Sequence, residues 1–100
     1  MKESDVQKLA ITKLESEGYS YWFPKRTWGE RDIFGVFDFI AMRAGKIMLV
    51  QLTTIQHLSD RRTKIKKFYE SQRIQMFPAN VYIWAWDKRV DAFKIAKVFN

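Results

Sequence analysis

The chain has no cysteine. A disulfide-stapled scaffold is therefore excluded, and so is a metal centre held by thiolates. No apolar run is long enough to span a membrane, and no secretory leader opens the sequence, whose start is acidic and polar at Glu3-Ser4-Asp5. A cytoplasmic protein with no membrane-spanning role is the expectation. No repeat, linker or low-complexity segment divides the chain. Negative charge is scarce: 11 Asp and Glu stand against 18 Lys and Arg, which leaves +7. That balance favours a polyanionic partner, nucleic acid ahead of an anionic membrane surface.

What is present is a folding sequence. At 47% hydrophobic and 16% aromatic residues it can build a core, which a disordered chain cannot. One hundred residues make one domain, 1–100, with room for a sheet and two or three helices.

Ser4 and Gln7 have capping-box spacing, and Val6, Leu9, Ala10 and Leu14 follow a helical period that Gly18 stops. Tyr19 to Phe23 reads as a short aromatic strand ended by Pro24, and Lys25 to Asp32 as a polar loop. Strands follow over Val36 to Met42 and Ile47 to Thr53, joined by the turn signal Arg43-Ala44-Gly45-Lys46. Both are apolar on both faces, as strands covered on each side are. A polar link, Ile55 to Leu58, leads to Ser59 as N-cap of a helix running to about Gln75, with Ile65, Phe68, Tyr69 and Gln72 inward. Val81 to Trp86 is a fourth strand. The tail, Asp91 to Phe99, fits a helix or a strand, with the strand favoured. The order α-β-β-β-α-β, with a central hairpin, is an α/β fold.

Each strand of that hairpin carries a polar group that a core strand would not ordinarily hold. A lone buried carboxylate costs several kcal/mol unless a donor or cation meets it. Asp38 is therefore either paired, with Arg31, Arg43 or a turn backbone, or a metal ligand. The short turn sets Asp38 opposite Gln51, and strand parity puts Thr53 on the Gln51 face. The Asp38 carboxylate, the Gln51 amide oxygen and the Leu52 carbonyl would offer three oxygen ligands to Mg²⁺ or Mn²⁺.

These residues, in this order of elements, resemble the PD-(D/E)xK nuclease superfamily, whose small single-domain members include the archaeal Holliday-junction resolvases. The run Arg31-Asp-Ile-Phe-Gly-x-x-Asp38, followed by Val50-Gln-x-Thr53, also resembles nuclease-like phage and microbial proteins. The resemblance covers about residues 4 to 86. It implies an αβββαβ restriction-endonuclease-like core, a central mixed sheet flanked by helices. It also implies metal-dependent cleavage of DNA, including branched DNA. In it Asp38 is the metal-binding Asp, Gln51 stands where an acid is usual, and Thr53 stands where the family has Lys. Lys64, Lys67 or His57 would have to replace that Lys. Gln7 falls nearest the resolvases' first-helix Glu, with Glu3 one turn before it.

Each feature also has a plainer reading. Gln51 can bond a neighbouring strand edge, Thr53 is a good strand former, and His57 is a lone histidine in a link. Glu30 and Asp32, in a loop bounded by Gly29 and Gly35, are either solvated loop acids or site residues. The basic helix, with Arg61, Arg62, Lys64 and Lys67, is either a solvated face or a nucleic-acid surface that Lys25 and Arg26 extend. Tyr82, Trp84 and Trp86 share a strand face, which suits packing under a helix, a homodimer interface or base stacking. Gln51 and Thr53 also admit a nuclease fold that binds without cutting. The aromatic strand admits a protein-interaction module.

Overall fold

The computed structural model describes residues 3–25, 32–72 and 80–99. Val6, Ala10 and Leu14 recur at helical spacing and are all buried, which fixes the inner stripe of α1 (Glu3–Ser16). Ser4 lies within this helix and does not cap it, because Glu3 is already helical. The far end stops as expected. Gly18 takes φ 77, the Tyr19 N–H bonds the Leu14 carbonyl at 2.9 Å and the Gly18 N–H bonds that of Glu15 at 3.3 Å. This is a Schellman cap.

Five strands form one mixed sheet in the order β1-β2-β3-β4-β5. They are β1 (Ser20–Trp22), β2 (Phe39–Arg43), β3 (Lys46–Thr54), β4 (Val81–Asp87) and β5 (Ala92–Lys97). The β2–β3 turn places Ala44 at φ 53 and Gly45 at φ 77 between the paired residues Arg43 and Lys46. Two successive positive φ values are those of a type I′ turn, whose twist suits a tight hairpin. β3 and β4 run parallel, so a crossover must join them. It consists of a 3₁₀ turn (Ile55–His57) and α2 (Leu58–Ser71). The expected polar link is thus the start of the helical segment, and Ser59 lies inside α2 and is not its cap. The expected extension to Gln75 reaches past the described residues. The tail forms β5, antiparallel to β4, which adds a strand to the αβββαβ order.

Alternation along β3 and β4 divides the core between two faces. Ala10 and Leu14 of α1 pack on Phe39, Ala41, Val50 and Trp84. Ile65 and Tyr69 of α2 pack on Val81 and Ile83, with Phe37 and Phe99. Covering both faces explains why the middle strands are apolar throughout. Leu14 and Ile65 are fully buried, and each contributes about 2 kcal/mol by leaving water.

This packing decides the aromatic stripe. Trp84 is 2% and Trp86 7% exposed. Trp84 meets Phe39 and Phe93, and Trp86 meets Phe93 edge-on. Tyr82 is half-buried. Both indole rings therefore pack in the core, as the expectation of packing under a helix had it. Among the described residues no helix is long and apolar enough to cross a membrane.

Candidate active site

The register pairs Phe39 with Val50, so the next position outward sets Asp38 against Gln51. Both side chains are 5% exposed. The Gln51 Nε2 donates to Asp38 Oδ2 at 2.9 Å, and the Leu52 backbone N–H donates to the same oxygen at 2.6 Å. Nε2 also donates to the Leu52 carbonyl at 3.1 Å. Both neighbours of the amide nitrogen are acceptors, and that fixes which way the amide faces. Its other atom, Oε1, is buried without a hydrogen-bond partner. Arg43, one expected partner of Asp38, is engaged elsewhere. It donates to the Glu17 carbonyl at 2.8 Å and lies over the Tyr19 ring at 4.3 Å. Arg31 lies outside the described residues.

A cleft of about 310 Å³ opens beside this pair, at the carboxyl end of β3. Crevices of this kind gather at such strand ends in α/β sheets. Asp38, Gln51, Leu52 and Thr53 line one side. His57, Arg61 and Lys64 line another, at the four- and three-residue spacing that makes one helical stripe. The Arg61 Nε, like the Gln51 Oε1, is buried and has no hydrogen-bond partner.

The structure separates the other expected residues from these. Lys67, Arg62 and Lys25 do not line the cleft, so of the two helical lysines only Lys64 reaches it. Arg26 and Glu30 lie outside the described residues. From α1 the cleft receives Val6, not Gln7. It also receives Asp32, which had read as either a solvated loop acid or a site residue. Its signal in the sequence was the short interval to Asp38 around Gly35, which closes a tight turn.

Among the described residues no group of three or more His, Cys, Asp or Glu converges. A metal would therefore depend on amide and carbonyl oxygens. As oriented, the amide sets a donor, Nε2, between Asp38 Oδ2 and the Leu52 carbonyl, and a cation cannot share that point. Turning the amide about its last torsion, which is soft and roughly two-fold, replaces Nε2 with the orphaned Oε1. Oxygens would then stand 2.9 and 3.1 Å apart along the two contacts. Neighbouring ligands around Mg²⁺, at ~2.1 Å bonds, are separated by roughly 3 Å. With the amide reversed, the residues fit a hard divalent ion.

No protein-family model, curated protein or solved structure matches this chain.

Proposed function

We propose that this protein is a metal-dependent nuclease of the PD-(D/E)xK type that cleaves phosphodiester bonds of DNA. One observation carries the reading: the buried Asp38–Gln51 pair shares a single cleft with His57, Arg61 and Lys64. A carboxylate–amide pair with a basic stripe facing it is what a phosphodiester with an attacking water requires. Thr53 lines the cleft but has no charge to offer. Lys64, in the same cleft, supplies the ammonium that position 53 lacks. Arg61 and Lys64 would hold the non-bridging phosphate oxygens and balance the charge that grows on them. His57 would take the proton of the attacking water. Asp38, Gln51 and the Leu52 carbonyl would hold Mg²⁺ or Mn²⁺, which when bound polarises a phosphoryl oxygen and acidifies water. The central β2–β3 hairpin and the parallel β3–β4 pair joined through α2 also support the family reading.

A second reading is a nuclease fold that binds nucleic acid without cutting it. The orientation of the Gln51 amide favours it, since Nε2 fills the point between two would-be metal ligands.

Incubation with labelled single-stranded, duplex and four-way-junction DNA separates the two, in Mg²⁺, Mn²⁺ or chelator. Nuclease action requires metal-dependent cutting that Asp38→Asn abolishes. Salt-sensitive binding with no cutting in either metal selects the second reading. Neither binding nor cutting removes both.

A further inference from the structure

We infer that the Phe34 ring is a stacking platform for an unpaired base of a DNA strand whose phosphates lie along Arg61 and Lys64. The substrate class is then a strand with at least one base outside a duplex. This rests on the nucleic-acid reading above and does not depend on a metal.

The turn that holds Phe34 is strained, and burial does not explain it. Ile33 and Phe37 form an isolated antiparallel bridge and exchange both backbone hydrogen bonds, at 2.7 and 3.0 Å. Phe34 at φ 56 and Gly35 at φ 72 reverse the chain between them. A positive φ is costly for a residue with a Cβ, and for a bulky one it is an outlier. Glycine or asparagine would hold the same turn with less strain. Yet Phe34 is 71% exposed, more than any other large apolar side chain among the described residues. The turn therefore keeps a phenylalanine in a strained conformation and offers most of its ring to solvent. Strain of this kind gathers at ligand sites.

The neighbours of the ring say which ligand. Phe34 lies nearly parallel to Phe68, at 19° with centroids 6.1 Å apart. Phe68 is half-buried and meets the buried Phe37 edge-on, which steadies it from the core side. With Tyr69 and Gln72 the two rings line an open hollow of about 380 Å³. Phe68 follows Lys64 by four residues, so His57, Arg61, Lys64 and Phe68 continue one helical stripe. The first three line the cleft, and the fourth carries the aromatic pair. The Phe34 turn is also tied to the cleft at both ends, because Asp32 and Asp38 line it. Cations in a row beside an aromatic platform complement a nucleic-acid strand: the cations take phosphates and the ring takes a base. Arg61 and Lys64 beside the ring favour a polyanion over an apolar protein surface. In a duplex the bases are stacked on one another and present only their edges to the grooves, so only an unpaired base offers its face.

The test is a set of binding isotherms in chelator, which prevents metal-dependent cutting. The probes are two single strands of equal length, oligothymidylate and the same backbone carrying stable abasic sites throughout. Wild type should bind the strand with bases at least about fivefold more tightly. Phe34→Leu keeps an apolar side chain at the same φ and removes the π face. It should bind the abasic strand as wild type does and lose most of the preference, whereas Phe34→Tyr should keep it. A full preference in Phe34→Leu overturns the role of Phe34 and leaves the nucleic-acid reading standing. Equal binding of the two strands by wild type does the same. Binding of both strands weakened in equal proportion by Phe34→Leu marks a structural role and also overturns it. No binding by wild type of either strand, or of duplex, at low salt removes the nucleic-acid reading and the inference together. A measurement on unsubstituted protein covers a variant that does not fold. The Phe34 ring protons should move upfield in the NMR spectrum as oligothymidylate is added, and not with the abasic strand. Ring signals that stay in place while others report binding overturn the inference.

Discussion

Asp38 Oδ2 accepts from the Leu52 backbone N–H and from the Gln51 amide, so the carboxylate ties the entry of β2 to the end of β3. Asp38→Ala leaves both donors without this acceptor, and a buried unpaired donor costs ~1–3 kcal/mol. Asp38→Asn keeps a carbonyl oxygen there and should cost about 1 kcal/mol less than Asp38→Ala in urea unfolding. Equal losses would show that the hydrogen bonds contribute little. Asp38→Asn is therefore the cleaner probe of chemistry. Gln51→Glu tests the same pair through charge. It sets a second carboxylate where Nε2 now donates, and a buried like-charge pair should lower stability by ~3 kcal/mol without metal. Added Mn²⁺ should restore much of that loss in a thermal melt, and a melt unmoved by metal would show that these oxygens do not converge on an ion. The Asp38–Gln51 contact was legible in the sequence, because a tight turn at Ala44-Gly45 leaves one register for two apolar strands. Asp32 was less so. Its turn depends on a positive φ at Phe34, and turn chemistry does not point to phenylalanine for that conformation.

Elements were legible where one force dominates. The α1 stripe and its glycine stop follow from period and backbone freedom. A Cβ built on Gly18 meets nothing within 4 Å, so Gly18→Ala meets no clash and its cost lies in the backbone alone. Forcing an L-residue to φ 77 should cost ~1–2 kcal/mol in urea unfolding. A loss near zero would mean that α1 ends another way in solution. The start of α2 was less legible. Ser59 looks like a cap, yet the helical segment begins earlier, with Ile55–His57 in a 3₁₀ turn. No side-chain hydrogen bond caps either segment. The direct passage from β3 into the 3₁₀ turn sets that start, and local propensity does not report it. This early turn also brings His57 into the cleft. The aromatic stripe of β4 had two readings because period-2 spacing shows that side chains share a face, not what covers it. Here α1 and the Phe93 ring cover it.

Across the whole molecule, the charge of +7 favours a polyanionic partner without saying where one would lie. The structure divides the basic residues of α2 in two. Arg61 and Lys64 line the cleft, whereas Arg62 and Lys67 do not. Each phosphate contact on duplex DNA adds about −0.9 to the slope of log K against log salt. If the cleft is the phosphate site, Arg61→Gln with Lys64→Gln should flatten that slope by nearly 2, and Arg62→Gln with Lys67→Gln by much less. Both pairs lower the net charge equally, so a general loss of attraction would affect the two alike and cannot mimic the difference. The measurement is a binding isotherm at several salt concentrations, in chelator, so that neither metal nor cutting enters. If instead the outer pair flattens the slope and the cleft pair does not, DNA lies across the solvent face of α2. The cleft would then be too far from the backbone to act on it. The Asp38–Gln51 pair would remain as a structural tie between β2 and β3.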